Sequence, residues 1–154
     1  MRNSNHSLHD YKVAGIEQSE VGYRMAQEQL QILMSNLFQG NFLTTDFNQQ
    51  YDIIYSHRVA HLFTKTDQVE DFARNLASTV KPKGKIYISA RDARGVKPQR
   101  EGHQVNFWEE SRFETVFKKD FLIEQFIKGE EIESKSNPQP TYFTMMIAER
   151  RPQT

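Results

Sequence analysis

The sequence predicts an α/β fold, with a mostly parallel β-sheet flanked by helices and a C-terminal antiparallel strand pair. Three observations lead there. Short runs rich in β-branched and aromatic residues recur at 12–16, 51–56 (YDIIYS) and 85–90 (KIYISA), as strands buried on both faces require. Between them lie stretches whose apolar residues repeat at three and four, the spacing of a helix face packed on a sheet. Strands alternating with helices pair in parallel, because each helix carries the chain back over the sheet. The third observation is the tail: strand candidates at 121–127 and 142–149 have only a loop between them, and so pair most simply antiparallel.

Residues 1–10 are polar and aperiodic and read as a flexible arm, 11–150 as one domain, and 151–154 as a tail. The strand at 12–16 runs into Glu17, and Ser19 is placed to cap the following helix by accepting a backbone N–H bond. That helix would carry Met25, Ala26, Leu30, Leu33, Met34 and Leu37 on one stripe and end at Gly40. Residues 41–45 (NFLTT) form the next strand candidate, closed by Asp46 and Phe47. Beyond the strand at 51–56, Val69, Phe72, Ala73, Leu76, Ala77 and Val80 mark a helix over 64–80, with Asp67 and Glu70 at capping-box spacing. Pro82 and Gly84 turn the chain into the strand at 85–90. Residues 91–105 hold two glycines and a proline among polar residues and read as a long loop. Asn106 with Glu109 starts a last helix, with Phe107, Trp108, Phe113, Val116 and Phe117 facing inward. In 129–140 (GEEIESKSNPQP), Pro138 and Pro140 predict a break in regular structure.

Composition narrows the chemistry. The 154 residues suit one core, built on eleven Phe, six Tyr and one Trp. Lys and Arg balance Asp and Glu at twenty each, so no general attraction to nucleic acid or anionic lipid follows. Without cysteine there is no disulfide, thiolate metal site or thiol nucleophile. No apolar run approaches the length of a membrane span, and the first residues lack a hydrophobic signal region. A cytoplasmic protein is the expectation.

From residue 13 to 150 this order resembles the class I S-adenosylmethionine-dependent methyltransferases, a Rossmann-like family, from their second strand to their seventh. VAGIEQS looks like the acidic second strand, LTTDF like the end of the third, YDIIYSHRVAHL like the fourth, and KPKGKIYISA like the helix end, turn and fifth strand. FLIEQF and TYFTMMIAERR look like the antiparallel sixth and seventh. The resemblance implies S-adenosylmethionine as cofactor and a small molecule as methyl acceptor. Glu17 then matches the carboxylate that accepts hydrogen bonds from the ribose hydroxyls. Gln18 matches the position packed on adenine, where the family usually has an apolar residue. Asp46 matches the acid that accepts from the adenine amino group, with the Phe47 backbone beside the ring. Ser56 and His57 match the strand end near the methionyl part, and His61, Arg91 and Asp92 would line the acceptor pocket.

One departure is large. In the family a first strand and its glycine-rich turn precede all of this, and the turn's N–H groups hold the cofactor's methionyl end. Here ten polar residues precede Tyr11, and no two glycines fall closer than seven residues apart. Removing a central strand would leave roughly five backbone groups unpaired on each neighbour, at about 1–3 kcal/mol per buried group, a sum comparable to a domain's stability of about 5–15 kcal/mol. Three remedies are open: residues 13–16 pair directly with 52–55, a second copy or partner chain donates a strand, or the true start lies upstream of Met1. An incomplete or degenerate reading frame is the favoured expectation.

Other constellations are weaker. His57 and His61 have i, i+4 spacing but no accompanying carboxylate in a metal-binding pattern, so no metal site is expected. Seven basic residues and one acid in 81–100, with Tyr87 or Trp108 as stacking surfaces, give only a slight case for RNA, and lysines flanking a turn are ordinary solvated residues. Two functional readings follow: a small-molecule methyltransferase, or a non-catalytic remnant or partner subunit that retains the fold.

Overall fold

The computed structural model describes residues 12–29, 36–94 and 106–152. The chain divides into two compact units, Met1–Asp46 and Phe47–Thr154. In the first, strand β1 (Gly15–Glu17) leads into helix α1 (Glu20–Gln29), and β1 pairs in parallel with β2 (Leu37–Gln39). Ser19 caps α1 as the sequence indicates, its Oγ accepting the Gly22 N–H at 3.2 Å. Of the expected helical stripe, Leu30, Leu33 and Met34 lie outside the described residues, and Leu37 belongs to β2 rather than to a helix. The strand expected at 41–45 is a turn. Asn41 organises it, its side-chain oxygen accepting from Leu43 N–H at 2.9 Å and its carbonyl from the Thr45 hydroxyl at 2.7 Å and Thr45 N–H at 3.0 Å. An asparagine that satisfies the backbone locally competes with a sheet ladder, and here it wins.

The second unit is a four-stranded sheet in the order β3-β4-β6-β5, formed by β3 (Tyr51–His57), β4 (Val80–Arg91), β5 (Phe121–Ser134) and β6 (Asn137–Arg150). β3 and β4 are parallel, with helix α2 (Thr66–Thr79) between them in sequence, whereas β4–β6 and β6–β5 are antiparallel. With β1–β2, the described strands thus form two parallel and two antiparallel pairings. Among the described residues β1 has β2 as its ladder partner and β3 has β4.

α2 starts at Thr66, and the backbone of Lys65 donates to the Gln68 side chain at 3.2 Å, so Gln68 rather than Glu70 closes back on the entry to the helix. Its stripe, Val69, Phe72, Ala73, Leu76 and Ala77, is buried. After α2 the chain bulges out over residues 81–84 before the regular ladder starts at Ile53–Lys85. Lys83 has φ of 64°, and a Cβ on Gly84 would lie 2.8 Å from the Lys81 carbonyl and 2.9 Å from that of Asp52, so only glycine admits this approach. Helix α3 begins at Glu110, four residues later than Asn106. The Asn106 amide instead donates to the Phe63 carbonyl at 2.7 Å.

The core lies between one sheet face and helices α2 and α3. Ile86, Ile88 and Ala90 of β4 and Met146 and Ala148 of β6 are fully buried there, beneath Phe72, Leu76, Trp108, Phe113 and Phe117. Phe117 centres the aromatic cluster, its ring 6.4 Å from Phe72, 6.2 Å from Trp108 and 5.8 Å from Phe121. The tail is a hairpin longer than expected, and 129–140 is strand, turn and strand rather than a break. β6 reaches past its last β4 partner, Arg91–Phe143, so the prolines at 138 and 140, which have no N–H to give, interrupt no bond to β4. Within the four-stranded sheet of the described residues β3 lies at one end, and its Ile53 and Tyr55 side chains are exposed rather than buried on both faces as the sequence implied.

Removing the central aromatic, Phe117→Ala, should cost about 3–5 kcal/mol, read as a lower urea midpoint at unchanged slope. Exposed Leu62→Ala should stay within about 0.5 kcal/mol. Equal losses would mean that the core has been assigned to the wrong sheet face.

Candidate functional site

In the first unit, Glu17 is the last residue of β1, and its Oε1 accepts the Ser19 N–H at 2.8 Å. A Cβ on Gly22 would meet the Glu17 side chain at 2.9 Å. The missing Cβ therefore lets the carboxylate lie over the first turn of α1, where free N–H groups and the helix dipole favour negative charge. Glu17 Oε2 accepts no bond among the described residues. Gln18 is exposed between β1 and α1. Asp46, also exposed, follows the Asn41 turn beyond the carboxyl end of β2, the strand parallel to β1. Both acids thus stand after the carboxyl ends of neighbouring parallel strands, the position from which such sheets bind ligands. Phe47 opens the second unit, its ring edge-on to Tyr51 at 6.3 Å.

In the second unit the carboxyl ends of β3 and β4 carry Ser56, His57, Arg91 and Asp92. Ser56 and His57 alternate faces. Ser56 lies in register with Ile88 on the core side, and His57 with Ser89 on the other. His57 Nε2 is 3.2 Å from Glu131 Oε1, and Nδ1 is 2.7 Å from Ser89 Oγ. A carboxylate only accepts, so Nε2 carries the proton, and in the neutral ring Nδ1 receives the Ser89 hydroxyl. Ser89 is fully buried, and its Oγ also accepts the Arg58 N–H at 3.1 Å. Arg58, at φ 57°, brings Nη1 to 3.0 Å from the other Glu131 oxygen. Glu131 on the hairpin thus bridges two successive residues at the end of β3, while the His57 ring stacks on Tyr55 at 6.1 Å and meets Phe143 edge-on at 5.8 Å.

Two residues expected to line the acceptor pocket are engaged inside the second unit. His61 is buried in a 3-10 turn (Ala60–Leu62), its carbonyl accepting the Asn106 N–H at 3.0 Å. Burial, then the neighbouring Arg91, Arg58 and His57, lower its pKa to about 4, so the ring is neutral at pH 7. Asp92 is 2% exposed. Its oxygens receive Arg94 Nε at 3.0 Å and Nη2 at 2.7 Å, the Arg94 N–H at 3.0 Å and the Thr144 hydroxyl at 3.0 Å. Burial alone would raise its pKa, but the Arg94 and Thr144 hydrogen bonds outweigh it and hold the carboxyl below its ordinary value. Arg94 continues to the Phe143 carbonyl at 3.1 Å and lies over the Tyr142 ring at 5.0 Å. An acid with every partner filled anchors the end of β4 to the hairpin and does not line a pocket. Arg91 stays half-buried beside His61, its N–H 3.5 Å from His61 Nδ1; burial and then Arg58 lower its pKa.

The structure therefore brings His57, His61 and Arg91 together and diverts Asp92. It adds Arg58, Ser89, Glu131 and Arg94, which sequence reading missed. Ser89 left a signal, as a hydroxyl inside the apolar run KIYISA. Glu131 left none, because its partners are 73 and 74 residues away. Trp108, offered as a stacking surface, is wholly buried, and Lys81 and Lys85 pair with Asp52 and Glu124, both at 2.9 Å. Among the described residues there is no cluster of three or more metal-ligating side chains, and no helix long and apolar enough to cross a membrane.

A family model described as a methyltransferase domain matches residues 3–88. Comparison with curated protein sequences gave no match. Among solved structures, an S-adenosylmethionine-dependent methyltransferase from Methanosarcina mazei aligns at TM-score 0.71 and 12% identity, over 92% of this chain and 82% of its own. The N-methyltransferase NodS from Bradyrhizobium japonicum aligns at TM-score 0.64 and 15% identity, over 90% and 72%, and has also been solved with S-adenosyl-L-homocysteine. A structure described for conversion of a disulfide bond into a thioacetal group during echinomycin biosynthesis aligns at TM-score 0.74 and 15% identity, over 94% and 68%. Identities this low establish a shared fold.

Two tests bear on the acceptor end. Arg94→Ala, which strands a buried carboxylate, should cost about 3–5 kcal/mol. Asp92→Asn should cost less, about 1–3 kcal/mol, since the half-exposed Arg94 can rehydrate. The reverse order in urea titrations would refute the anchor. His61 contributes stability that is complete above its unfolded pKa of 6.5 and is lost as pH falls towards 4, because the unfolded chain takes up the proton first, by at most about 1.4 kcal/mol per pH unit. His61→Gln should remove that part of the slope between pH 6.5 and 4.

Proposed function

Because the chain belongs to the methyltransferase-domain family of class I S-adenosylmethionine-dependent proteins, we propose that it binds S-adenosylmethionine by its nucleoside end and transfers the methyl group to a small molecule. The observation that carries this reading is the Glu17 carboxylate at the end of β1. One oxygen is fixed by the Ser19 N–H and the other accepts no bond among the described residues, which is the arrangement a ribose diol needs. Asp46, after the neighbouring strand, is the proposed partner of the adenine amino group, with Gln18 and the Phe47 backbone beside the ring. When bound, the cofactor supplies a methyl group activated on a sulfonium. Ser56 and His57 are the proposed neighbours of the methionyl end, and His57, half-buried with Arg91 nearby, is the proposed flank of the acceptor. Methyl transfer depends chiefly on alignment, so an ordered imidazole edge there positions without having to remove a proton.

A second reading has its own support. Asp92 and His61, the residues expected to face an acceptor, are engaged inside the fold. Their engagement suits a protein that keeps the fold, and with it association or cofactor binding, without turnover. A small-molecule acceptor belongs to the first reading alone, whereas a cytoplasmic location is proposed with either.

Calorimetry with S-adenosylhomocysteine tests the cofactor site. Glu17→Gln keeps an oxygen for Ser19 and removes the charge, and should weaken binding roughly tenfold to hundredfold, the worth of a hydrogen bond to a charged group. Absence of heat with the wild type at millimolar ligand would end the first reading. Binding without transfer of labelled methyl to any of a panel of small amines, phenols and carboxylates would select the second.

A further inference from the structure

Successive residues of a strand point to opposite faces, yet His57 and Arg58, at the carboxyl end of β3, address the same carboxylate. His57 Nε2 lies 3.2 Å from one oxygen of Glu131, and Arg58 Nη1 lies 3.0 Å from the other. Arg58 itself breaks the alternation. Its φ of 57° is a left-handed conformation that costs a residue with a side chain and is concentrated at functional sites. Buried Ser89 of β4 holds both donors in place. Its carbonyl and hydroxyl oxygens accept the Arg58 N–H at 3.0 and 3.1 Å, and its hydroxyl donates to His57 Nδ1 at 2.7 Å. The carboxylate is held less firmly than the donors. Glu131 comes from the part of the hairpin past Arg91–Phe143, the last pairing of β6 with β4, and its side chain is 41% exposed. Ion pairs this open to water contribute little net stability. Burial and then Arg58 lower the pKa of Arg91, and burial and then Arg91, Arg58 and His57 lower that of His61, so the charges acting beside the pair are cationic.

We propose that Arg58 and His57 form a binding site for the carboxylate of a small-molecule ligand, and that Glu131 fills it as an internal stand-in until that ligand displaces it. Two N–H donors, each on its own oxygen, match the two acceptors of a carboxylate and leave a neutral amide half-matched. The ligand meets donors already ordered by Ser89, which favours binding because little freedom remains to be lost. Glu131 sets the selectivity. Apparent affinity falls by the fraction of time it occupies the pair, so a neutral or weakly held group does not displace it and a well-placed carboxylate does. The site suits a small molecule because the Arg58 and His57 side chains are only 23% and 31% exposed. Identifying that ligand with the methyl acceptor rests on the methyl-transfer reading above, whereas the carboxylate site itself does not.

Titration of the full chain with benzoate, benzamide and phenyl phosphate, followed through the His57 imidazole resonances, tests this without cofactor; His57→Gln assigns the resonances. Benzoate should bind at millimolar concentration, and benzamide, the same shape without the charge, should not. Glu131→Ala should tighten benzoate binding about tenfold because the competitor is gone, a gain that damage to the fold does not produce. Glu130→Ala, removing an exposed acid of the same hairpin, should change it by less than about twofold, since such a charge is largely screened. Arg58→Asn, which tolerates the left-handed backbone, should weaken it at least about tenfold. Absence of benzoate binding, equal binding of benzamide, tighter binding of phenyl phosphate, or indifference to Glu131→Ala or Arg58→Asn would each overturn the proposal. Heat with S-adenosylhomocysteine but no benzoate binding ends this inference alone. Benzoate binding without that heat upholds the site and removes only its role for a methyl acceptor.

Discussion

The carboxyl ends of β3 and β4 in the second unit depend on one buried charge. Asp92 leaves water almost completely, at a cost that burial alone would express as a raised pKa, and Arg94 and Thr144 more than offset it. Arg94 lies only two residues on, whereas Thr144 comes from β6, so the same carboxylate ties a local turn to a strand 52 residues away. From that tie the neighbouring geometry follows. Arg91 is held at the end of its ladder opposite Phe143, the Trp108 N–H reaches the Arg91 carbonyl at 2.8 Å, and the segment entering α3 is drawn against the His61 turn. A half-satisfied carboxylate would be worse than none, because a buried charge is tolerated only when its partners are complete.

Much of this architecture was legible where one residue pattern had one solution. The stripe Val69, Phe72, Ala73, Leu76 and Ala77 fixes α2 because no other period buries all five together. The runs at 51–56 and 85–90 are too short for helices and too β-branched for loops. Legibility failed where local chemistry competed with pattern. Residues 41–45 carry strand-like Phe42 and Leu43, yet Asn41 satisfies three backbone N–H groups and a hydroxyl by itself, and the segment turns. The prolines at 138 and 140 argue against a strand only if a neighbour needs their N–H, and the length of β6 beyond β4 removes that need.

The candidate site divides along the same line. The surroundings of Glu17 are readable because their contacts are local: Glu17, Ser19 and Gly22 lie within one strand-to-helix junction. The burial of Asp92 and His61 is not legible in the sequence because an acid and an imidazole after a strand look alike whether solvent or a distant strand completes them. Only burial separates the two cases, and burial is set by residues far along the chain. Glu131 shows the limit from the other side. Nothing about a glutamate in a charged hairpin announces that it will order an imidazole at the end of another strand.

This difference in reach has a functional consequence within the family. The Glu17 carboxylate, positioned by residues two to five places along the chain, survives wide variation elsewhere, because nothing remote among the described residues orients it. The ends of β3 and β4, held by Arg58–Glu131–His57 and Asp92–Arg94–Thr144, are set instead by the hairpin, so sequence change in β5 or β6 re-aims His57. Folds that host many substrates on one cofactor need that separation. In this chain it follows from hydrogen bonds that are short-range at one end and long-range at the other.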